Sequence, residues 1–526
     1  MLSAVFILIA YLFFVLYCVL DYTVFHLVED LQVTSFSQIL FNMNNGEGAQ
    51  DGWNAAFKGF FDTHGSALVF VGLIALAAIV FCLYNWWTKN HAAPDSEEGE
   101  KASRLAPKIK VGTLVVMSGM IALTCIRTGF GLDEVGFYRW VGQRMTKSTF
   151  YKDNYVNPAD VNVRFEGEKK NLIYIFCESM ESSYADNEHG GFYDESLIPN
   201  MQRMSLLNNS FTDDNTVNGA LCAESTGWTT AAILAQTSGT PMVYIEPHGQ
   251  HNGKQEDWTI EDRFLPSLET LGDILERNGY HNSFLCGSNA LYGGRANYFQ
   301  QNGNYTIYDH YFLKESGYLP ENEEEWKCYW GNVDKYLFDA AKDLITQEAE
   351  TGEPFNFTML TVDTHFPDGY VCPDCEDVHH GDQMKNAIAC SEKRVYQFVK
   401  WIQEQPFYED TVVVVAGDHL TMAAGLGREL KGFDRGVYFT ILNGPEYNGP
   451  KRTYTTMDIF PTVVSAVGAT YDGNRLGLGT NLFSDEPTLV ETMGIQNLND
   501  QIPLGTDYFI EEVLKSDSKN QGHVHE

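Results

Sequence analysis

Leu2 to Leu20 is almost wholly apolar, and a run of about 19 such residues is long enough to cross roughly 30 Å of hydrocarbon as one helix. Ser66 to Trp87 is a second run, with Tyr84, Trp86 and Trp87 suited to a membrane interface. Val111 to Ile126 is a third, shorter and interrupted by Ser118 and Gly119. The first run lacks the basic flank and small-residue cleavage site of a signal peptide, so three spans are expected. Loop charge sets their direction. Asp21 to Gly65 holds one Lys or Arg, Lys58, whereas Thr88 to Lys110 holds Lys89, Lys101, Arg104, Lys108 and Lys110. The second loop is therefore expected inside the cytoplasm, and everything after the third span outside it. Arg127, just beyond that span, weakly opposes this assignment.

A chain of 526 residues is too long for one ordinary core, and the expected division follows its composition. Residues 1–127 form a membrane region. Residues 128–165 form an aromatic-rich linker that lies at the membrane surface or wraps the globular part. Residues 166–505 form a catalytic domain, and 506–526 a tail that is polar from Ser516 onward. Within 166–505, strand-like runs at Asn171–Phe176, Asn356–Val362, Thr411–Val415 and Gly436–Leu442 alternate with helical patterns at Ser267–Asn278, Lys335–Glu350 and Ser391–Gln405. Such alternation predicts an α/β fold with a mostly parallel sheet covered on both faces. The formal net charge of −35 argues against nucleic acid and against docking on anionic lipid, and fits a solvated outer domain.

Ligands in parallel α/β sheets collect at the carboxyl ends of strands. Two runs deliver chemistry there: Asn171–Phe176 leads to Cys177-Glu178-Ser179, and Thr411–Val415 to Gly417-Asp418-His419. A third stretch, Leu221 to Gly227 (LCAESTG), enters the small and apolar run Trp228–Ala235. This predicts a helix with Thr226 near its N-terminus, where free N–H groups and the helix dipole favour a phosphate or sulfate. Glu178, Thr226, Asp418 and His419 could converge on one divalent cation, Mn²⁺, Mg²⁺ or Zn²⁺, which would activate the Thr226 hydroxyl. His365, in Thr361–Pro367 after a strand, could bind a non-bridging oxygen or protonate a leaving group. The Gly-flexed loop Leu291–Arg295 could present Arg295 to a phosphate and Tyr292 to a group attached to it. Cys177 should face the opposite side of its strand, as core.

Of the ten cysteines, Cys18, Cys82 and Cys125 lie in the expected spans. Cys372-Pro373-Asp374-Cys375 has no second Cys pair to complete a zinc set, so a disulfide from Cys372 or Cys375 to Cys390 is expected.

The order NLIYIFCESMESSY, STGWTTAAILAQTSGTP, TVDTHFPDG and GDH resembles the alkaline phosphatase and sulfatase superfamily. Within it the chain is similar to the membrane-bound phosphoglycerol transferases, of the lipoteichoic acid synthase and periplasmic glucan types. The TVDTHFPDGY, LGDIL (271–275), GSNALYGGR, Ala389-Cys390-Ser391 and LGLG (476–479) stretches look most like the glucan type. The resemblance implies Glu178, Thr226, Asp418 and His419 as ligands of one ion, commonly Mn²⁺ in the teichoic acid branch. It also implies Thr226 as nucleophile and Arg295 and His365 as phosphoglycerol contacts. The implied reaction is ping-pong: phosphatidylglycerol gives its phosphoglycerol to Thr226, diacylglycerol leaves, and a glycan or glycerol phosphate hydroxyl takes the group. One departure is Gly293, where the teichoic acid enzymes carry an aromatic. A phosphoethanolamine transferase or phosphodiesterase of the same fold is the alternative, ahead of a non-catalytic membrane sensor. A sulfatase needs a Cys/Ser-x-Pro-x-Arg motif, and Thr226 is followed by Gly-Trp-Thr-Thr.

Overall fold

The computed structural model describes residues 1–30, 33, 35–44, 50–93, 96–243, 265, 268–328, 330–372, 374–505 and 507–509. The expected polar tail, Ser516 to Glu526, and Ser267, the start of one expected helix, lie outside these residues. The chain forms two units: Met1–Phe36 with Ala49–Arg139, and Ser37–Gly48 with Trp140–Glu526.

The first unit is built on three helices, α1 (Leu2–Phe25), α2 (Gln50–His91) and α3 (Glu97–Glu134), each long and apolar enough to cross a membrane. The expected loop Thr88–Lys110 is largely helical. The Ser96 side chain caps α3 by accepting from the Gly99 N–H, and Glu97, Glu98 and Glu100 complement the dipole of its first turn. Arg127, which opposed the charge-based orientation, is bound within this unit: its Nε donates to Asp21 Oδ1 at 2.7 Å.

The second unit contains a seven-stranded sheet. Its strands are β1 (Asn171–Cys177), β2 (Gly219–Ala220), β3 (His281–Cys286), β4 (Thr306–Tyr308), β5 (Phe355–Leu360), β6 (Thr411–Gly417) and β7 (Val437–Leu442). They lie in the order β2-β7-β6-β1-β5-β3-β4. The run from β6 to β4 is parallel, and β7 pairs antiparallel with both β6 and β2. The helices used below are α4 (Thr229–Ser238), α5 (Leu271–Arg277), α6 (Arg295–Gln301), α7 (Asp334–Glu350), α8 (Gln383–Gln403) and α9 (Ile459–Ala466).

β1 is central because nearly every residue in it is apolar and can be buried on both faces. Leu172, Tyr174 and Phe176 join one core with side chains of α4, α5, α6 and α9. Ile173, Ile175 and Cys177 alternate to the other face and are also fully buried. Helix α8 begins eight residues before the expected Ser391, with the Asp382 side chain accepting from the Lys385 N–H. Phe150, Tyr151 and Tyr155 are buried in the second unit, and the Tyr151 hydroxyl donates to the Ile502 carbonyl at 3.0 Å.

Register positions the site. In β1 and β6 Cys177 is opposite Gly417, so Glu178 and Asp418 leave adjacent strands at one level. The pairing of Phe176 with Leu360 brings the segment after β5, which carries His365, beside them.

Candidate metal centre and nucleophile

Ligating atoms of Glu178, Asp418 and His419 all lie within 4.8 Å of one another, on side chains that are at most 3% exposed. Asp418 Oδ1 accepts from the backbone N–H groups of Ser179 and His419, both at 2.8 Å, which fixes the carboxylate. Its Oδ2 is buried and, among the described residues, has no hydrogen-bond partner. A carboxylate oxygen left so, 3.4 Å from His419 Nε2, is a vacancy in the hydrogen bonding that a cation would fill. His419 Nδ1 lies 2.8 Å from the Leu420 carbonyl, so Nδ1 carries the proton and Nε2 turns its lone pair toward the carboxylates. Two carboxylates and an imidazole nitrogen suit a hard to borderline divalent ion.

Burial, reinforced by the charge of Glu178, pushes Asp418 up to about 6. Burial works to lower His419, but Asp418 and Glu178 outweigh it and raise that residue.

A second carboxylate, Glu181, braces the loop that holds the ligands. Fully buried, it accepts from the Thr421 N–H at 2.8 Å and from Arg435, with Nε at 2.9 Å and Nη2 on the other oxygen. Gln236 on α4 adds a second brace, its Nε2 donating to the carbonyls of Gly417 at 2.9 Å and Asp418 at 3.2 Å.

Thr226 lies near the N-terminus of α4, as expected, but does not cap it. Helix α4 starts at Thr229 with Trp228 at the N-cap, and the Thr226 hydroxyl, on a fully buried residue, donates to the Ala223 carbonyl at 2.9 Å. The residues before the helix form a turn closed by Thr226 N–H to Ala223 O, with Ser225 at φ +63°, so Thr226 belongs to the turn and not to the cap. Thr229 Oγ1 instead lies 3.3 Å from His419 Nε2, on a partly exposed residue at the first position of the helix. The signal was present in the sequence, since Thr229 opens the helix-forming run and a helix start is where unbonded N–H groups lie.

Arg295 is buried and oriented by donation from Nε to the Tyr292 carbonyl at 3.0 Å. Its Nη2 donates to Ser288 Oγ at 3.0 Å and the Asn289 carbonyl at 2.8 Å. Among the described residues its Nη1 makes no hydrogen bond. The loop is tied to α4: Thr230 Oγ1 donates to the Gly293 carbonyl at 2.9 Å, one residue after Thr229. Gly293 has φ +65°, and a Cβ there would stand 2.8 Å from Thr230 Oγ1, so this turn cannot carry an aromatic at 293.

Trp330, which no sequence signal singled out, supplies an aromatic nearby. Its ring centroid lies 4.2 Å from that of His365 and 5.6 Å from that of Tyr292, forming a continuous wall. His365 Nδ1 is 2.9 Å from the Phe366 carbonyl, and burial chiefly, with smaller effects of the neighbouring His419 and Arg295 in the same direction, lowers it to about 4. It is neutral near pH 7, with Nε2 as an acceptor.

Beneath this segment two buried acids hold it by reciprocal bonds. Asp334 accepts from the N–H groups of Val362 at 2.7 Å and Asp363 at 3.1 Å, and Asp363 accepts from the Asp334 N–H at 3.1 Å. Burial raises both, Asp363 further because the Asp334 charge adds to it.

A model of the sulfatase family matches residues 170–469. Phosphoglycerol transferase I of Escherichia coli (strain SMS-3-5) is 29% identical over 325 residues, covering 60% of this chain and 39% of the relative. The match thus spans well under half of that relative's length. Among solved structures, the lipoteichoic acid synthase LtaP from Listeria monocytogenes is 18% identical, with 62% of this chain and 79% of the other covered and a TM-score of 0.44. The phosphoethanolamine transferase EptA from Neisseria meningitidis is 13% identical, with 84% and 81% covered and a TM-score of 0.47.

Proposed function

This chain belongs to the sulfatase family, and we propose that within it the protein is a membrane-bound phosphoglycerol transferase whose covalent step runs through Thr229. The observation that carries this reading is the Thr229 hydroxyl set against His419 at the edge of the buried Glu178–Asp418–His419 cluster. The phosphoglycerol group is suggested by the name of the E. coli relative. The donor in this reading is phosphatidylglycerol, and the acceptor a hydroxyl of a glycan or of a glycerol phosphate chain. The three apolar helices support a membrane location near such a donor. Loop charge supports a multi-pass protein with its catalytic unit outside the cytoplasm.

Glu178, Asp418 and His419 would hold one divalent cation, Mn²⁺ in our reading with Mg²⁺ or Zn²⁺ as alternatives, which lowers the pKa of an adjacent hydroxyl and offsets charge growing on phosphorus. Thr229 Oγ1 forms a bond to phosphorus as the bond to diacylglycerol breaks, and the proton given up by Thr229 leaves with the diacylglycerol hydroxyl. Arg295 Nη1 is available to a phosphate oxygen. The wall of Tyr292, Trp330 and His365 borders the glycerol, and neutral His365 offers Nε2 to a hydroxyl proton. In the second half the acceptor oxygen displaces Thr229, and its proton returns to the threonine.

Mass spectrometry of the purified enzyme after incubation with Mn²⁺ and phosphatidylglycerol tests this, with diacylglycerol release followed in parallel. A glycerol phosphate adduct that fragmentation places on Thr229, absent from Thr229→Ala and present in Thr226→Ala, is the expected result. An adduct on Thr226 overturns the choice of nucleophile. No adduct and no diacylglycerol from a folded, metal-loaded protein overturns the donor, and phosphatidylethanolamine is then the substrate to try.

A further inference from the structure

Seven residues past His365, the chain reaches a group of thiols that phosphotransfer does not use. Cys375 is disulfide-bonded to Cys390 of α8, and Cys372 Sγ lies 3.1 Å from Cys375 Sγ. Sulfurs of all three lie within 4.8 Å of one another. Cys372 and Cys390 are buried, whereas Cys375, the sulfur common to both contacts, is partly exposed. Arg394, one turn after Cys390 on α8, donates from Nη2 to Cys372 Sγ at 2.6 Å, and among the described residues its buried Nε has no hydrogen-bond partner. A guanidinium with hydrogen-bonding capacity to spare thus faces the free sulfur from the helix that carries the bonded one.

We propose that Cys372, Cys375 and Cys390 form an intramolecular thiol–disulfide exchange site. Cys372, as thiolate, attacks Cys375 Sγ; the Cys375–Cys390 bond breaks, a Cys372–Cys375 bond forms, and Cys390 leaves as thiolate and takes up the proton that Cys372 released. One disulfide is present before and after, so no oxidant or reductant is consumed. The two isomers differ in what they tether. In the first, the segment running from β5 through His365 to Cys375 is bound covalently to α8. In the second it is linked only to itself, and α8 is released. The inference stands apart from the phosphotransfer reading, because its test reads sulfur connectivity and not turnover.

The test uses the full chain in detergent, equilibrated in glutathione buffers of stepped reduced-to-oxidised ratio, acid-quenched, alkylated and mapped by peptide mass. The expected wild-type map holds both isomers, Cys375–Cys390 with Cys372 alkylated and Cys372–Cys375 with Cys390 alkylated. Cys390→Ser should shift wholly to the second isomer and Cys372→Ser wholly to the first. Each variant retains one possible pair, and the wild-type map stands by itself if either fails to fold. Cys375–Cys390 as the sole disulfide of the wild type at every ratio overturns the proposal. Pairing of any of the three with Cys328, which lies in the same apolar cluster, also overturns it. So does stoichiometric zinc that shields all three sulfurs from alkylation until a chelator removes it.

Discussion

Thr229 Oγ1 lies 3.3 Å from His419 Nε2, while Thr226 Oγ1, three residues earlier, is bonded inward to the Ala223 carbonyl on a fully buried residue. Thr229→Ala should lower kcat by about 10³-fold or more, the scale on which removing a covalent nucleophile acts. Thr226→Val should retain turnover and cost about 1 kcal/mol of stability, the worth of one buried hydrogen bond. Diacylglycerol release and urea denaturation of the two variants check both statements; a dead Thr226→Val that folds and binds metal would reverse the assignment.

Asp418 gives the site a pH dependence of definite sign. Its folded pKa, about 6 in the ion-free protein, is raised above the unfolded value near 3.9. The folded state therefore holds more protons between these values, and this residue's contribution to stability, full below about pH 4, is lost as pH rises through about 6. Metal binding needs the ionised carboxylate and so strengthens over the same window. Thermal melts in EDTA from pH 4 to 7 should show a slope that Asp418→Asn flattens. At pH 7, Mn²⁺ at about 100 times its Kd should stabilise the wild type by about 2.7 kcal/mol and leave the variant unmoved.

The Glu181–Arg435 pair should govern metal retention without touching the ion. Arg435→Ala leaves a carboxylate of zero exposure without its cation, at a cost of about 3–5 kcal/mol, and loosens the loop that Glu181 holds through Thr421. Metal affinity should fall about 10- to 100-fold, as it does when a group supporting the ligands is removed. Arg435→Lys, which restores charge but not the two-pronged contact, should lie between. Competition with a fluorescent chelator gives the affinities, and unchanged affinity in a folded Arg435→Ala contradicts the bracing role.

Trp330 should act on binding more than on chemistry. Its contacts with His365 and Tyr292 are of a kind worth about 0.5–1.5 kcal/mol. Trp330→Ala should therefore raise KM for the phosphoglycerol donor by about 2- to 10-fold with a smaller change in kcat. A fall confined to kcat would place Trp330 outside the donor site.

Local sequence was sufficient to place Glu178, Asp418 and His419 at the ends of strands, because each follows an apolar run that reads as an interior strand, and a residue just past such a run stands at the sheet's edge. The same logic identified β5 and β7 and the two-faced burial of β1. It failed at Thr226, where side-chain type suggested a cap. Whether a hydroxyl caps a helix depends on where the turn before it closes, and that is set by bonds such as Met242 N–H to the Ser225 carbonyl, across 17 positions of chain. It was silent on Trp330, on the Asp334–Asp363 exchange and on Arg435, because nothing in their neighbours along the chain marks the contacts they make.

The sequence by itself determined the apolar helices, four of the seven strands of the sheet (β1, β5, β6 and β7) and the types of residue at their ends, since these follow from burial and backbone periodicity read a few residues at a time. Tertiary structure alone decided which hydroxyl meets His419, which cysteine pairs with Cys390 and which aromatic lines the wall. The reason is distance in the chain: Thr229 and His419 are 190 positions apart, and only the register of β1 against β6 and the docking of α4 on that sheet bring their side chains together.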